Sequence, residues 1–316
     1  MTAGSVPDTS HASGAGSIFE TAWWLDAVAP GAWSEATVVR DGECVARLPY
    51  VLKRVGPVRI MANPPLVPVL GPWLRPIDGK EEHRLGQEIA LLGELIDQLP
   101  AADVVVQSLS PRLTNWLPFY WRGYSGQLRY TYRIEDPSDL DRVWSGLREN
   151  IRREVRKASR TVEVRRSTDV EAFLEVFRPT LPRVGKPGRL EDMIRRAERA
   201  SRERDASTIL LAVDESDRVR AGTMLVRDQG AVYYLLAGRD HRDAPVGAPS
   251  LLVWEGIKDA AERRLAFDFE GSMVETIERF FRAFGARQTP YVRVLKSSVR
   301  GRAFEAVRRL LRRPAM

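Results

Sequence analysis

Residues 265–296 read L-A-F-D-F-E-G-S-M-V-E-T-I-E-R-F-F-R-A-F-G-A-R-Q-T-P-Y-V-R-V-L-K, and the reading of this stretch decides the fold. Leu265, Phe267 and Phe269 alternate with Ala266, Asp268 and Glu270, a period of two that predicts a strand. Both carboxylates therefore leave the strand on one face. Gly271 permits a turn. Ser272 followed by Glu275 has the spacing of a capping box, which predicts a helix start there. Ile277, Phe280, Phe281 and Phe284 recur at helical spacing as one buried stripe. Gly285 suits the position just past a helix end, and a second strand follows. A strand that ends in acids beside a helix N-terminus can form a site edge, because the first helical turn carries partial positive charge and free N–H groups. The same spacing also describes an ordinary strand–helix–strand packing unit.

Outward from this stretch, 316 residues allow one large domain or two of ordinary size. The hydrophobic fraction of 44% supplies cores, and 29% charged residues fit a soluble protein. A net charge of +7 and a pI near 9.7 favour anionic partners such as nucleic acid, phosphorylated small molecules, CoA-like cofactors or an anionic membrane surface. The alternative is a modest basic surplus spread over a large surface. The single cysteine, Cys44, excludes an internal disulfide and a cysteine-built metal site. With His11, His83 and His241 as the only histidines, serine–histidine and histidine–metal chemistry have little support. No apolar run approaches the roughly 18 residues of a membrane span. Residues 1–16 are small and polar without the apolar core of a signal peptide, and read as a disordered tail of a cytoplasmic protein.

The first half predicts a helix over 17–26 and a hairpin of 36–40 with 44–52 around Asp41-Gly42. A stiff extended loop follows over 61–76, where prolines 64, 65, 68, 72 and 76 forbid a helix or a central strand. A helix over 81–98 and strands over 103–108 and 128–134 complete the half. Between those strands the aromatic-rich 111–124 packs into a core or, with Arg112 and Arg122, walls a ligand. Asp136-Pro137-Ser138 breaks the chain. A single helix over 140–160 then carries an apolar stripe and, opposite it, Arg148, Arg152, Arg153, Arg156, Lys157 and Arg160, an arc that tracks phosphates or simply faces solvent. A strand, two helices and three antiparallel strands (208–214, 219–226, 231–237) lead through a loop to a helix ending near 263. A basic helix over 305–313 closes the chain.

This order predicts an α+β protein of two related units, 17–137 and 138–316, each a mostly antiparallel sheet flanked by helices. From residue 140 it is the layout of the GNAT acyltransferase fold. Five segments, N-P-P-L-V-P-V-L-G-P-W-L (63–74), L-P-F-Y-W-R-G-Y (117–124), R-Y-T-Y (129–132), R-E-N-I-R-R-E-V-R-K-A (148–158) and F-D-F-E-G-S-M-V-E-T-I-E-R-F-F-R-A-F-G-A (267–286), carry a resemblance. Together they resemble bacterial GNAT-type proteins related to the FemAB and FemX aminoacyltransferases, over most of 17–300. The resemblance implies two fused GNAT-like domains with an acceptor cleft between them. It implies transfer of an acyl or aminoacyl group to an amine, from acyl-CoA in some members and aminoacyl-tRNA in others, with no bound cofactor or metal. The acceptor implied is a cell-envelope precursor, a sugar, or a small molecule or peptide, and tRNA is a partner in the aminoacyl version.

Such chemistry needs positioning, a proton acceptor for the amine and donors for the oxyanion, but no protein nucleophile. Asp268 and Glu270 are the acid–base or amine-orienting candidates. Of Tyr233 and Tyr234 only one can face the same cleft, because neighbours on a strand point to opposite faces; Tyr234 is the expected catalytic residue. The resemblance implies phosphate contacts from Arg153, Arg156 and Lys296. CoA-binding GNAT proteins carry a Q/R-x-x-G-x-G/A turn at a helix start. Here 239–250 read R-D-H-R-D-A-P-V-G-A-P-S, in which Arg239, Arg242 and Gly247 keep a degenerate version that shifts weight toward aminoacyl-tRNA. Two further classes stay open: a non-catalytic GNAT-fold protein that binds a phosphorylated ligand, and nucleic-acid binding through the basic helices 148–160 and 305–313.

Overall fold

The computed structural model describes residues 16–180, 187–240 and 245–311. The tail apart from Gly16, together with His11, His241 and Arg242, lies outside the described residues. In the first half a 3₁₀ turn (Ile18–Glu20) leads into α1 (Ala22–Val28), β1 (Trp33–Arg40), β2 (Glu43–Val55), β3 (Val58–Ala62) and the two-residue β4 (Trp73–Leu74). Then come α2 (Glu81–Asp97), β5 (Val104–Ser108), α3 (Leu117–Trp121) and β6 (Ser125–Ile134). The second half holds α4 (Leu140–Gly146), α5 (Glu149–Ala158), β7 (Val162–Ser167), α6 (Val170–Phe177), α7 (Pro187–Arg202), β8 (Ser207–Asp214), β9 (Val219–Arg227) and β10 (Ala231–Arg239). It ends with α8 (Ala248–Arg263), β11 (Ala266–Asp268), α9 (Glu275–Arg282), β12 (Arg287–Ser297) and α10 (Val299–Leu311).

All twelve strands form one sheet in the order β1-β2-β3-β5-β12-β6-β11-β10-β9-β8-β7, with β4 set against β2. The pairs β3–β5 and β10–β11 are parallel and the others antiparallel. The last strand, β12, lies between β5 and β6 of the first half, and β6 lies between β12 and β11 of the second. The predicted boundary at 137/138 falls just after β6, yet backbone hydrogen bonds run unbroken across it. The first helix also crosses over: Phe19, Trp24, Leu25 and Val28 share a core with Phe173, Ile194, Met224 and Tyr233. On the opposite face of the sheet Ile151, Leu252, Phe267, Phe281 and Phe284 form a second core. A third, under α2 and α3, includes Leu92, Phe119 and Val294.

The opening stretch folds as strand, turn, helix and strand, with local differences. β11 keeps three residues because Phe269 donates its N–H to Tyr132 O (2.9 Å) and the chain then turns through Glu270 (φ 63°) and Gly271 (φ 65°). A Cβ on Gly271 would stand 2.1 Å from Tyr130 O, so only glycine fits. The capping box does not form: α9 begins at Glu275, and Ser272 Oγ accepts from Val274 N–H (3.1 Å). Ile277 is exposed, so the buried stripe is carried by Phe281 and Phe284. The single helix expected over 140–160 is two, because Leu147 and Arg148 are extended and Arg148 N–H donates to Ala283 O (2.9 Å). β3 went unforeseen, and α10 starts six residues earlier than the basic run suggested.

Candidate active site

A cavity of about 250 Å³ opens at the seam between the two halves, on the sheet face that carries α1 and α6. The register builds it. Arg287 of β12 stands opposite Arg133 of β6, Arg133 opposite Asp268 of β11, and Asp268 beside Tyr233 of β10. Strand alternation adds Thr131, Glu135, Thr289 and Tyr291 to the same wall. Ser17, Val69, Ser110 and Arg112 close it from the first half, Val69 arriving on the proline-rich loop. That loop is fixed by Gln107, whose side chain donates to Pro49 O (3.1 Å) and Leu70 O (2.9 Å).

Asp268 is 4% exposed and accepts from Thr131 Oγ1 (2.5 Å), Arg133 Nη1 (2.8 Å) and the Glu270 N–H (2.9 Å). Burial pushes its carboxyl above the ordinary range, and Arg133 with the hydrogen bonds pulls it partly back. Glu270 has less help, the charge of Arg133 alone pulling its carboxyl back. Its Oε1 is buried without a hydrogen-bond partner. Burial, then the nearby charges of Asp268 and Asp228, push its carboxyl well above the ordinary range. Tyr233 is 6% exposed and donates its hydroxyl to Asp228 Oδ2 (2.8 Å), which also accepts the Ile18 N–H (2.9 Å). The N-terminal segment is thereby tied to the wall of the cavity. A further acid, Glu20, is buried behind Ser17 with Oε2 unpartnered, and burial raises its carboxyl too. The arrangement can seat a cation, hold it against two carboxylates and remove a proton from it.

Asp268 and Glu270 therefore meet in the cavity as expected from their alternation. Tyr234 does not: it sits on the far face of the sheet against Phe281 (ring centroids 6.0 Å apart), with its hydroxyl bonded to Thr223. Tyr233 takes the cavity position, because β10 runs beside β11 in the register that aligns Tyr233 with Asp268. Arg153 and Arg156 lie on α5, which packs on that far face; Arg153 is exposed and Arg156 stands 5.4 Å over the Trp144 ring. Lys296 donates to Arg122 O (2.8 Å) and lies 4.8 Å over the Tyr124 ring, also away from the cavity. Arg122, considered for a ligand wall, is bound by Asp97 (2.6 Å), whereas Arg112 does reach the cavity. Arg239 is exposed at the end of β10. Sequence reasoning missed Thr131, Arg133 and Asp228. The alternation of β6 groups Thr131 with Arg133, but nothing in one sequence pairs β6 with β11.

The start of α8, where a GNAT protein holds the pyrophosphate of CoA, does not fit that group within the described residues. Ala248 N–H donates to Pro245 O (3.1 Å), and Pro249 has no N–H to give. The Ser250 hydroxyl donates to Glu154 Oε2 (2.6 Å), so a carboxylate of α5 stands at the helix start. Gly247 (φ 96°) lets α5 approach: a Cβ there would lie 2.4 Å from Glu154 O. A second anion placed here would face Glu154.

Comparison with known proteins agrees with the fold. Residues 145–282 match the acetyltransferase (GNAT) domain family. The crystal structure of FemX superposes with a TM-score of 0.65 at 13% identity, covering 88% of this chain and 92% of that one. L-PGS from Bacillus licheniformis gives 0.54 at 12% identity, with 92% of each chain covered. No curated protein matches the sequence. The likeness to FemX is one of fold over most of the chain, and the domain match over 145–282 supports acyl transfer in general.

Proposed function

We propose that the chain is an N-acyltransferase that moves an acyl or aminoacyl group onto an amine seated in the seam cavity, by direct attack and without a covalent enzyme intermediate. The observation that carries this reading is Glu270, a buried carboxylate with a partnerless oxygen on the cavity wall beside a second buried carboxylate. An acceptor amine arrives as an ammonium. Asp268, ion-paired with Arg133, orients it, and Glu270 takes one proton from it. Burial favours the neutral form of Glu270, so that transfer runs toward the state its surroundings prefer. The freed lone pair attacks the carbonyl carbon, a C–N bond forms, and the C–O or C–S bond to the donor breaks. The leaving oxygen or sulfur keeps the electron pair and receives the second amine proton.

The start of α8 favours an aminoacyl ester over acyl-CoA as the donor, since Glu154 stands where a pyrophosphate would be held. The basic balance of the chain suits a tRNA backbone. The test uses radiolabelled aminoacyl-tRNA and acetyl-CoA as parallel donors, with a panel of amino sugars, diamines and peptides as acceptors. Transfer from aminoacyl-tRNA that is lost in Glu270→Gln, with circular dichroism unchanged, is the expected result. Wild-type turnover in that variant removes Glu270 from the mechanism, and a thermal shift with acetyl-CoA overturns the choice of donor.

A further inference from the structure

Several arginines of this protein are matched to buried or half-buried acids, as in Arg133–Asp268, Arg166–Asp259 and Arg220–Asp214. Two on the cavity face are not. Arg129 and Arg293 project from neighbouring strands: the register sets Tyr291 of β12 opposite Arg129 of β6, and Arg293 is the next residue of β12 on that face. Both are half-buried, and neither has a carboxylate within ion-pairing distance among the described residues. Arg129 Nε is buried with no hydrogen-bond partner, and its Nη1 has only a 3.5 Å contact with Gln127 Oε1. Arg293 Nε donates to Ser108 Oγ (3.0 Å), which fixes the direction of its guanidinium and leaves the terminal nitrogens available. Burial and then the charge of Arg129 make the Arg293 cation harder to hold than an ordinary arginine. Two like charges side by side, partly out of water and without a counter-ion, cost stability unless a ligand supplies the charge.

We propose that Arg129 and Arg293 form an oxyanion subsite in the cleft, which binds a phosphate group of the amine acceptor. Guanidinium forks suit this work, since each offers parallel N–H donors to a pair of oxygens. A doubly charged phosphate offsets both cations, whereas a single carboxylate offsets one. Tyr291 links the subsite to the cavity, because it lies on the cavity wall and beside both arginines. Arg129 precedes Arg133 by four strand residues on the same face, which places the subsite about 13 Å along β6 from the row of Asp268. The acceptor would thus carry its amine and its phosphate at two ends of one molecule. That the phosphate belongs to the acceptor rests on the transfer reading above; the oxyanion subsite does not.

Titration calorimetry with inorganic phosphate and pyrophosphate on the whole protein tests the subsite without any donor or turnover. Arg129→Gln and Arg293→Gln should each weaken binding at least tenfold, Arg293→Lys should restore part of it, and Arg153→Ala should leave it unchanged. Glu270→Gln should also bind phosphate normally, so a failure of the transfer reading stays distinct from a failure here. Without phosphate, either glutamine variant should raise the melting temperature, because it removes a repulsion; a purely structural arginine would lower it. Absence of phosphate binding to the wild type, wild-type affinity in either glutamine variant, or tighter binding of succinate than of phosphate would overturn the proposal.

Discussion

Arg133 Nη1 lies 2.8 Å from Asp268 Oδ2 across the β6–β11 pairing, and this contact joins the two halves of the chain at the cavity floor. The side chains are 17% and 5% exposed. Burial lowers the Arg133 affinity for its proton, but Asp268 and Glu135 more than reverse that. Asp268→Asn would keep the shape while leaving the guanidinium without its main counter-charge. Breaking a buried pair from one side costs roughly 3–5 kcal/mol. Glu135 remains 3.1 Å from Arg133, so the loss should fall near the low end, about 3 kcal/mol. Urea denaturation at neutral pH measures it; an unchanged midpoint would mean that the pair does not hold the seam.

The carboxyl of Glu270 predicts a pH dependence of opposite sense to an ordinary ion-paired acid. Its folded-state pKa is raised well above the ordinary value, so between the two values the folded chain binds more protons than the unfolded one. Stability therefore falls as pH rises from the ordinary carboxylate value, about 4.3, toward the raised one, and is fully present below that window. Glu270→Gln cannot ionise. Its stability relative to wild type should grow across that window and be flat below it. Thermal melts from pH 4 to 8 read the difference, and a difference that shrinks with rising pH would contradict the placement of Glu270. Turnover should move the other way and rise with pH, because only the carboxylate accepts a proton.

The sequence carried the order of elements well where the pattern was local. The period of two in 265–270 put Asp268 and Glu270 together, and they do meet. It could not carry what depends on long-range register. Arg133 and Asp268 are 135 positions apart, and only the insertion of β6 between β11 and β12 joins them. The pairing Ser272–Glu275 misled for a related reason: Gly271 must turn against Tyr130 O, which delays the helix until Glu275. The phosphate contacts expected from Arg153, Arg156 and Lys296 depended on which sheet face α5 and the end of β12 occupy, a matter of packing rather than of spacing.

The two tyrosines of β10 separate a cavity role from a core role. Tyr233→Phe keeps the ring against Phe19 (centroids 5.0 Å apart) but frees Asp228 from one donor. Tyr234→Phe keeps the ring among Phe267 and Phe281 and loses the bond to Thr223. Each should cost about 1 kcal/mol of stability, the net value of one hydrogen bond. Their effects on turnover should differ. Asp228 is one of the charges that raise Glu270, and it anchors Ile18 next to Ser17 on the cavity wall. Loss of the Tyr233 hydroxyl should therefore disturb both the acid and the wall, lowering kcat up to about a hundredfold, the scale set by small misplacements of reacting groups. Tyr234→Phe should leave kcat and KM near wild type. Steady-state kinetics on the two variants, after their melts are shown to match, decides the matter. A larger loss in Tyr234→Phe would mean that the chemistry lies on the other face of the sheet.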